Sequence, residues 1–195
     1  MIADIRPIVK KNIPISCIFG SACYTTYGSG PEPEAPISRK ELQHMKIALA
    51  CDSAGAVLMP VIKKVLEERG IPYHFFGKFE EETVRDYPVF AVRAANAVKS
   101  GEYDRGILCC GTGVGISIAA NKVRGIRCCC CSDCYSAKMS RAHNDANMLA
   151  LGGRVIAPET AEMIVGIWLD TPFDGGRHQR RIDMFTQIEE GKTIE

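Results

Sequence analysis

Nowhere in the 195 residues is there an uncharged apolar run of the ~18 or more residues that a membrane-crossing helix needs. The N-terminus also lacks the basic, apolar, small-residue order of a secretory signal. A cytosolic protein with no membrane partner is therefore expected. Charge of one sign is not in excess, with 24 Lys and Arg against 23 Asp and Glu. No overall field draws the chain onto nucleic acid, and any anion must be held by local groups. The length suits one well-buried core and is short for two domains with a linker.

Cysteine is plentiful, at ten, but the setting of a disulfide scaffold is missing, because the chain is long, rich in aliphatic residues and without an export signal. Reduced thiols are expected. Cys128, Cys129, Cys130 and Cys131 are consecutive within an apolar stretch. Successive side chains of a strand point to opposite faces, so these four cannot converge on one metal. Cys131 and Cys134 have C-x-x-C spacing, yet no second ligand pair lies nearby in the sequence to complete a zinc site.

Residues 1–44 differ from the remainder. Gly28, Gly30, Pro31, Pro33 and Pro36 punctuate the stretch from Tyr24 to Ser38, a composition that does not pack. A poorly ordered N-terminal extension is expected there, with the domain occupying 45–195 and Met45 as its effective start. From Lys46 to Cys51 an apolar run ends in Asp52, Ser53 and Gly55, and Val57, Leu58, Val61, Ile62, Val65 and Leu66 follow at helical spacing.

The alternation continues with strands at Tyr73–Phe76, Gly106–Cys110, Arg127–Cys131 and Met148–Leu151. Helices are expected at Tyr87–Val98, from the glycine loop through Ala120, after a cap at Ser132 or Asp133, from Pro158 to Leu169, and from Gln179 to Ile188. Short apolar strands separated by helices predict a three-layer α/β/α sandwich around a doubly wound, five-stranded parallel, Rossmann-like sheet. Ligands of such sheets sit beyond the carboxyl ends of the strands, which directs attention to the loops after Cys51, Cys110 and Cys131.

In Cys110-Gly111-Thr112-Gly113-Val114-Gly115 a strand ends in a thiol and glycines lead into a helix N-terminus. Backbone N–H groups there can hold a phosphate or a developing oxyanion, or the loop can be a tight turn without ligand. The spacing is not the G-x-G-x-x-G of dinucleotide sites. A helix dipole favours thiolate at Cys110, a base or nucleophile, whereas Cys109 faces the core. Thr112 can donate to a substrate oxygen or cap its helix. His143, at a helix end among polar residues, can titrate near neutrality or act as a cap. Arg177, Arg180 and Arg181 follow Gly175 and Gly176. Their positive charge at a helix start opposes the macrodipole, and a phosphate would relieve it; the alternative is a solvated basic helix start.

Together the runs CGTGVGISIAANKVRGIR, SDCYSAKMSRAHNDANMLALGGRVI and FDGGRHQRR resemble the ribose-5-phosphate isomerase B family, which includes allose-6-phosphate isomerases and the subunits of galactose-6-phosphate isomerase. The resemblance covers Met45 to about Glu190. It implies that Cys110 shuttles a proton between C1 and C2, and that Gly111, Gly113, Val114 and Gly115 hold the enediolate oxygens. It further implies that His143, helped by Thr112, opens the sugar ring, that Asn144 contacts hydroxyls, and that Arg154, Arg177 and Arg181 grip the phosphate. A homodimer or homotetramer with shared sites is implied, with no metal or organic cofactor.

One position departs from the family. Its first strand usually ends in Asp-His, whereas Asp52 is followed here by Ser53, which can donate one hydrogen bond but carries no charge. D-Ribose 5-phosphate and D-ribulose 5-phosphate are the expected pair. Allose 6-phosphate, galactose 6-phosphate or a tetrose 4-phosphate are alternatives. A thiol-dependent hydrolase or transferase, and a non-catalytic sugar-phosphate-binding subunit, are readings of other classes.

Overall fold

The structure is a computed structural model, and it describes residues 37–77 and 86–194. Hydrophobic alternation sets the central layer. Strands β1 (Ile47–Cys51), β2 (Tyr73–Phe75), β3 (Arg105–Cys110), β4 (Cys128–Cys130) and β5 (Met148–Gly152) form one parallel sheet in the order β2-β1-β3-β5-β4. β1, β3 and β5 are buried along their whole length, as parallel strands covered on both faces must be.

Odd and even positions serve different layers. Ile47, Leu49, Cys51, Ile107, Cys109, Leu149 and Leu151 pack with α2 (Met59–Arg69) and α6 (Pro158–Asp170), whose Ile62, Leu66, Ile164 and Trp168 fill that side. α5 (Cys134–Ala142) joins the same layer through Ala137. Ala48, Ala50, Leu108, Cys110, Met148 and Ala150 face α3 (Tyr87–Lys99) and α4 (Val114–Ala120). There the small Ala91, Ala94 and Ala95 lie against the small Ala48 and Ala50, which lets α3 approach the sheet closely. The three layers expected from the sequence are thus present.

The cysteine run behaves as strand filler. Cys128 enters the α3/α4 core, while Cys129 and Cys131 turn to the other face. Burial pushes the thiols of Cys51 and Cys131 up to about 12 and those of Cys109 and Cys128 well above the ordinary range, so all four stay protonated. Asp133, one of the two expected caps, starts α5 by accepting from the Ser136 amide at 2.7 Å.

Most boundaries fall within a residue of the sequence expectation, and larger differences occur at the two ends of the domain. α7 (Arg177–Glu189) opens two residues before Gln179, because Gly175 and Gly176 at φ 58° and 51° turn the chain immediately ahead of Arg177. Ahead of Met45, Arg39–His44 form a short helix, α1, with a capping box between Ser38 and Glu41. Leu42 of α1 is buried in the core, and the Ile37 amide donates to the Asp170 carbonyl at 3.1 Å. Residues 1–36, the bulk of the expected extension, lie outside the described residues. Among the described residues no helix is long and apolar enough to cross a membrane.

Candidate active site

At the carboxyl end of the sheet the loops after β1, β3 and β5 are tied into one floor. The Asp52 amide donates to the Cys109 carbonyl at 3.2 Å, and the Asp52 carboxylate accepts from the Gly55 amide at 2.9 Å, closing the turn that carries the exposed Ser53. This turn sits directly on β3: a Cβ at Gly55 would fall 2.4 Å from the Cys109 carbonyl carbon. The Gly153 amide donates to the Cys110 carbonyl at 2.8 Å, and the Arg154 amide to the Gly111 carbonyl at 2.9 Å. The Arg154 side chain therefore runs alongside Gly111, its Nε 3.7 Å from the place of a Gly111 Cβ.

Cys110 is the last residue of β3, only 4% exposed, with its Sγ accepting from the Gly113 amide at 3.1 Å. Gly113 opens α4 at φ 79°, and Thr112 Oγ1 accepts from the Val114 amide at 3.3 Å. Gly113 is the N-cap and Thr112 holds the first helical amide from one residue outside, while its hydroxyl hydrogen can still be given to a ligand oxygen. Thiol, glycine amides and helix N-terminus share one small region, the arrangement that favours negative charge.

Two neighbours here were not singled out from the sequence. Tyr87 lays its ring against Gly115, with Cζ 2.7 Å from where a Cβ would be, and Cys130 Sγ lies 2.8 Å from the place of a Gly113 Cβ. Tyr87 stands 28 residues before Gly115, and no periodicity connects the two.

The remaining expected residues lie at the other end. His143 caps the C-terminus of α5, its amide donating to the Met139 carbonyl at 2.9 Å. Asn144 and Asp145 follow in a turn just before β5, with Asp145 at φ 43°. Arg127, at the entry to β4, donates through Nε to the Asn144 and Asp145 carbonyls at 3.0 Å each, and through Nη2 to the Asp145 carboxylate at 2.7 Å. Arg141 grips the other carboxylate oxygen at 2.8 Å. Two guanidinium groups thus hold a left-handed backbone that a non-glycine residue adopts at a cost.

Across this turn comes the segment leading into α7. The Asp174 amide donates to the Ala142 carbonyl at 2.9 Å, which sets the Asp174 carboxylate 4.0 Å from His143 Nε2. The His178 ring stacks on that of His143, centroids 4.3 Å apart and planes 4° from parallel. His178 is 6% exposed, and its Nδ1 is buried without a hydrogen-bond partner. Burial, His143, Arg177 and Arg181 push its pKa down, against a weaker opposing pull from Asp174. Asp174 and His178 were both within the run FDGGRHQRR, yet only its arginines and glycines drew attention.

His143, Asp174 and His178 bring three metal-ligating atoms within 4.8 Å of one another. Ring lone pairs lie in the ring planes, and two stacked, nearly parallel rings with centroids 4.3 Å apart cannot both aim at one ion. Arg177 Nε, 3.4 Å from His178 Nε2, adds a repelling charge.

The expected site residues therefore form two groups. Asp52, Ser53, Cys110, Gly111, Thr112, Gly113, Val114, Gly115 and Arg154 gather at the carboxyl ends of the strands, and His143, Asn144, Arg177 and Arg181 at the amino ends. β5 pairs with β3 from Met148 to Gly152 between them. At about 3.3 Å per residue, the four steps from Met148 to Gly152 separate the two ends by roughly 13 Å. Within one protomer Cys110 and His143 stand at opposite ends of the sheet.

Residues 47–185 match the family described as Ribose/Galactose Isomerase. The chain is 52% identical over 145 residues to "Ribose-5-phosphate isomerase B" of Escherichia coli (strain K12), covering 74% of this chain and 97% of that one. It is 42% identical over 139 residues to "D-erythrulose-4-phosphate isomerase" of Pectobacterium atrosepticum, covering 71% and 91%. The solved ribose-5-phosphate isomerase B of Clostridium thermocellum superposes with a TM-score of 0.72 at 51% identity, covering 75% and 99%. The class is that of aldose–ketose isomerases of sugar phosphates. Within it, the chain belongs to the ribose/galactose isomerase family.

Proposed function

We propose that the chain interconverts D-ribose 5-phosphate and D-ribulose 5-phosphate as a homodimer or a homotetramer in the cytoplasm. Each site joins the Cys110 end of one protomer to the His143 end of its partner. Residues 45–195 carry the reaction. The placement of Cys110 against the amides that open α4, in a chain so similar to named ribose-5-phosphate isomerases, is the observation that carries this reading.

The chemistry divides between the two ends. The partner's His143 gives a proton to the ring oxygen while the anomeric hydroxyl gives its own to water, and the open aldehyde results. Cys110, as thiolate, removes the C2 proton while O1 takes the charge; the enediolate oxygens rest on the amides of Gly111–Gly115, with Thr112 donating; the hydrogen on O2 passes to O1 as the thiol returns its proton to C1, which leaves the ketone at C2. Arg177 and Arg181 at the partner's helix start and Arg154 on the near side neutralise the phosphate, while the partner's Asn144 and the near-side Asp52 and Ser53 contact hydroxyls. The exposed apolar side chains Val57, Val114, Ile118 and Val155 supply a face on which the second protomer can dock.

A second reading within the class is a tetrose 4-phosphate, favoured by Ser53, which offers no cationic group, and by the similarity to the Pectobacterium protein. The test is turnover of ribose 5-phosphate, allose 6-phosphate and erythrose 4-phosphate in D₂O, following ketose formation and deuterium entry beside the carbonyl. A kcat/KM of about 10⁴ M⁻¹s⁻¹ or more on ribose 5-phosphate supports the main reading. Preference for the tetrose moves the substrate, and exchange with none of them sinks the catalytic assignment.

A further inference from the structure

We propose that Asp174 is a positioning residue for His143, holding and polarising its imidazole against a back wall formed by His178; this rests on the ring-opening role given to His143 above. Backbone geometry makes the placement firm. The Asp174 amide is tied to the Ala142 carbonyl at 2.9 Å, one residue before His143, so the carboxylate is delivered to the imidazole by the main chain. At 4.0 Å from Nε2, with both side chains about a third exposed, the pair can tighten to a hydrogen bond when a sugar closes over it.

The surrounding charges single out Asp174. On His143's own side of the site, Arg141 and Arg127 are both engaged with Asp145, which neutralises that carboxylate. From the α7 side come His178, stacked on the ring, with Arg177 and Arg181 beyond it. Among the described residues Asp174 takes part in no other ion pair, so its charge faces His143 uncompensated. Burial and the same arginines keep His178 neutral, and a neutral wall adds no repulsion to an imidazolium beside it.

A carboxylate on Nε2 would fix the tautomer and leave Nδ1 as the atom that exchanges a proton with the sugar ring. The His178 ring meets His143 face to face, and its buried Nδ1 has no hydrogen-bond partner.

The experiment compares wild type, Asp174→Asn, Asp174→Glu and His143→Ala as full-length proteins. Readouts are the ring-nitrogen NMR shifts of His143, which report its tautomer, and the kcat and KM for ribose 5-phosphate. In wild type we expect one His143 tautomer, with the hydrogen on Nε2, and in Asp174→Asn a mixture of the two. The kcat of Asp174→Asn should fall about tenfold or more with KM within about twofold, and Asp174→Glu should restore most of the single tautomer and the rate. A wild-type His143 tautomer and kcat in Asp174→Asn, alongside an impaired His143→Ala, would overturn the proposal. Wild-type kcat in His143→Ala would instead remove the ring-opening role on which it rests.

Discussion

The amide of Gly113 donates to Cys110 Sγ at 3.1 Å, so the first left-handed residue of the glycine loop and the thiol at the end of β3 are a single unit. The hydrogen bond fixes the sulfur at the mouth of the loop, beside the amides that open α4. Replacing Cys110 with Ala should lower turnover and solvent deuterium exchange roughly 10²–10⁴-fold. Calorimetric binding of ribose 5-phosphate should survive, since the phosphate grip is elsewhere. Normal exchange in the variant would take the proton-carrying role away from Cys110.

Gly113→Ala and Gly125→Ala separate backbone strain from site damage. Both positions have positive φ, 79° and 82°, and both substitutions should cost about 1–2 kcal/mol of stability on that account. A Cβ at Gly125 meets nothing within 4 Å, whereas one at Gly113 would sit 2.8 Å from Cys130 Sγ and 3.0 Å from the Leu151 carbonyl carbon. Thermal melts should show the larger loss for Gly113→Ala, and only this variant should lose about tenfold or more in kcat. Equal kcat values for the two would mean the loop tolerates the shift and its amides are not oxyanion donors.

Placement of Cys110 and His143 at opposite ends of one sheet makes a subunit-mixing test decisive. Cys110→Ala and His143→Ala should each be nearly inactive on ribose 5-phosphate. Co-refolding them in equal amounts should return about a quarter of wild-type activity, because half the dimers are hybrids and each hybrid holds one intact site. If the mixture stays inactive while hybrids are detected by mass spectrometry, the shared site is wrong.

Arg177 begins α7 beside His178, its Nε 3.4 Å from His178 Nε2. Arg177→Ala should raise KM by roughly tenfold or more with a smaller change in kcat, since a charge-assisted hydrogen bond contributes about 1.5–3 kcal/mol. An unchanged KM would place the phosphate away from this helix start.

His178 gives the fold a pH dependence of known sign. Its pKa is lowered by burial, then by His143, Arg177 and Arg181, so at mildly acidic pH the unfolded chain binds more protons than the folded one. The stability is complete above the unfolded value of about 6.5 and is lost as pH falls through the lowered folded value. The melting temperature should therefore drop from pH 7 to pH 5, and His178→Gln should flatten that slope. A parallel slope in the variant would assign the acid sensitivity to other groups.

Local chemistry made much of this protein readable in advance. A period of two placed Cys109 and Cys110 on opposite faces, and alternating strands and helices announced the layers; both follow from backbone geometry acting over a few residues. The capping box at Ser38 and Glu41 was equally local, but the proline- and glycine-rich stretch just before it masked it. Tyr87 against Gly115, and His178 against His143, had no such signal, because each pair meets only through packing of separate elements.

The amino-acid sequence by itself determined the strands, the glycine loop, the thiol at its mouth and the cationic helix start, since each depends on neighbours within a few residues. Only the tertiary structure decided that β5 enters between β3 and β4, and that Cys110 and His143 stand at opposite ends of the sheet. Strand order and direction are set by long-range pairing and by burial of both faces, which no short stretch of chain encodes.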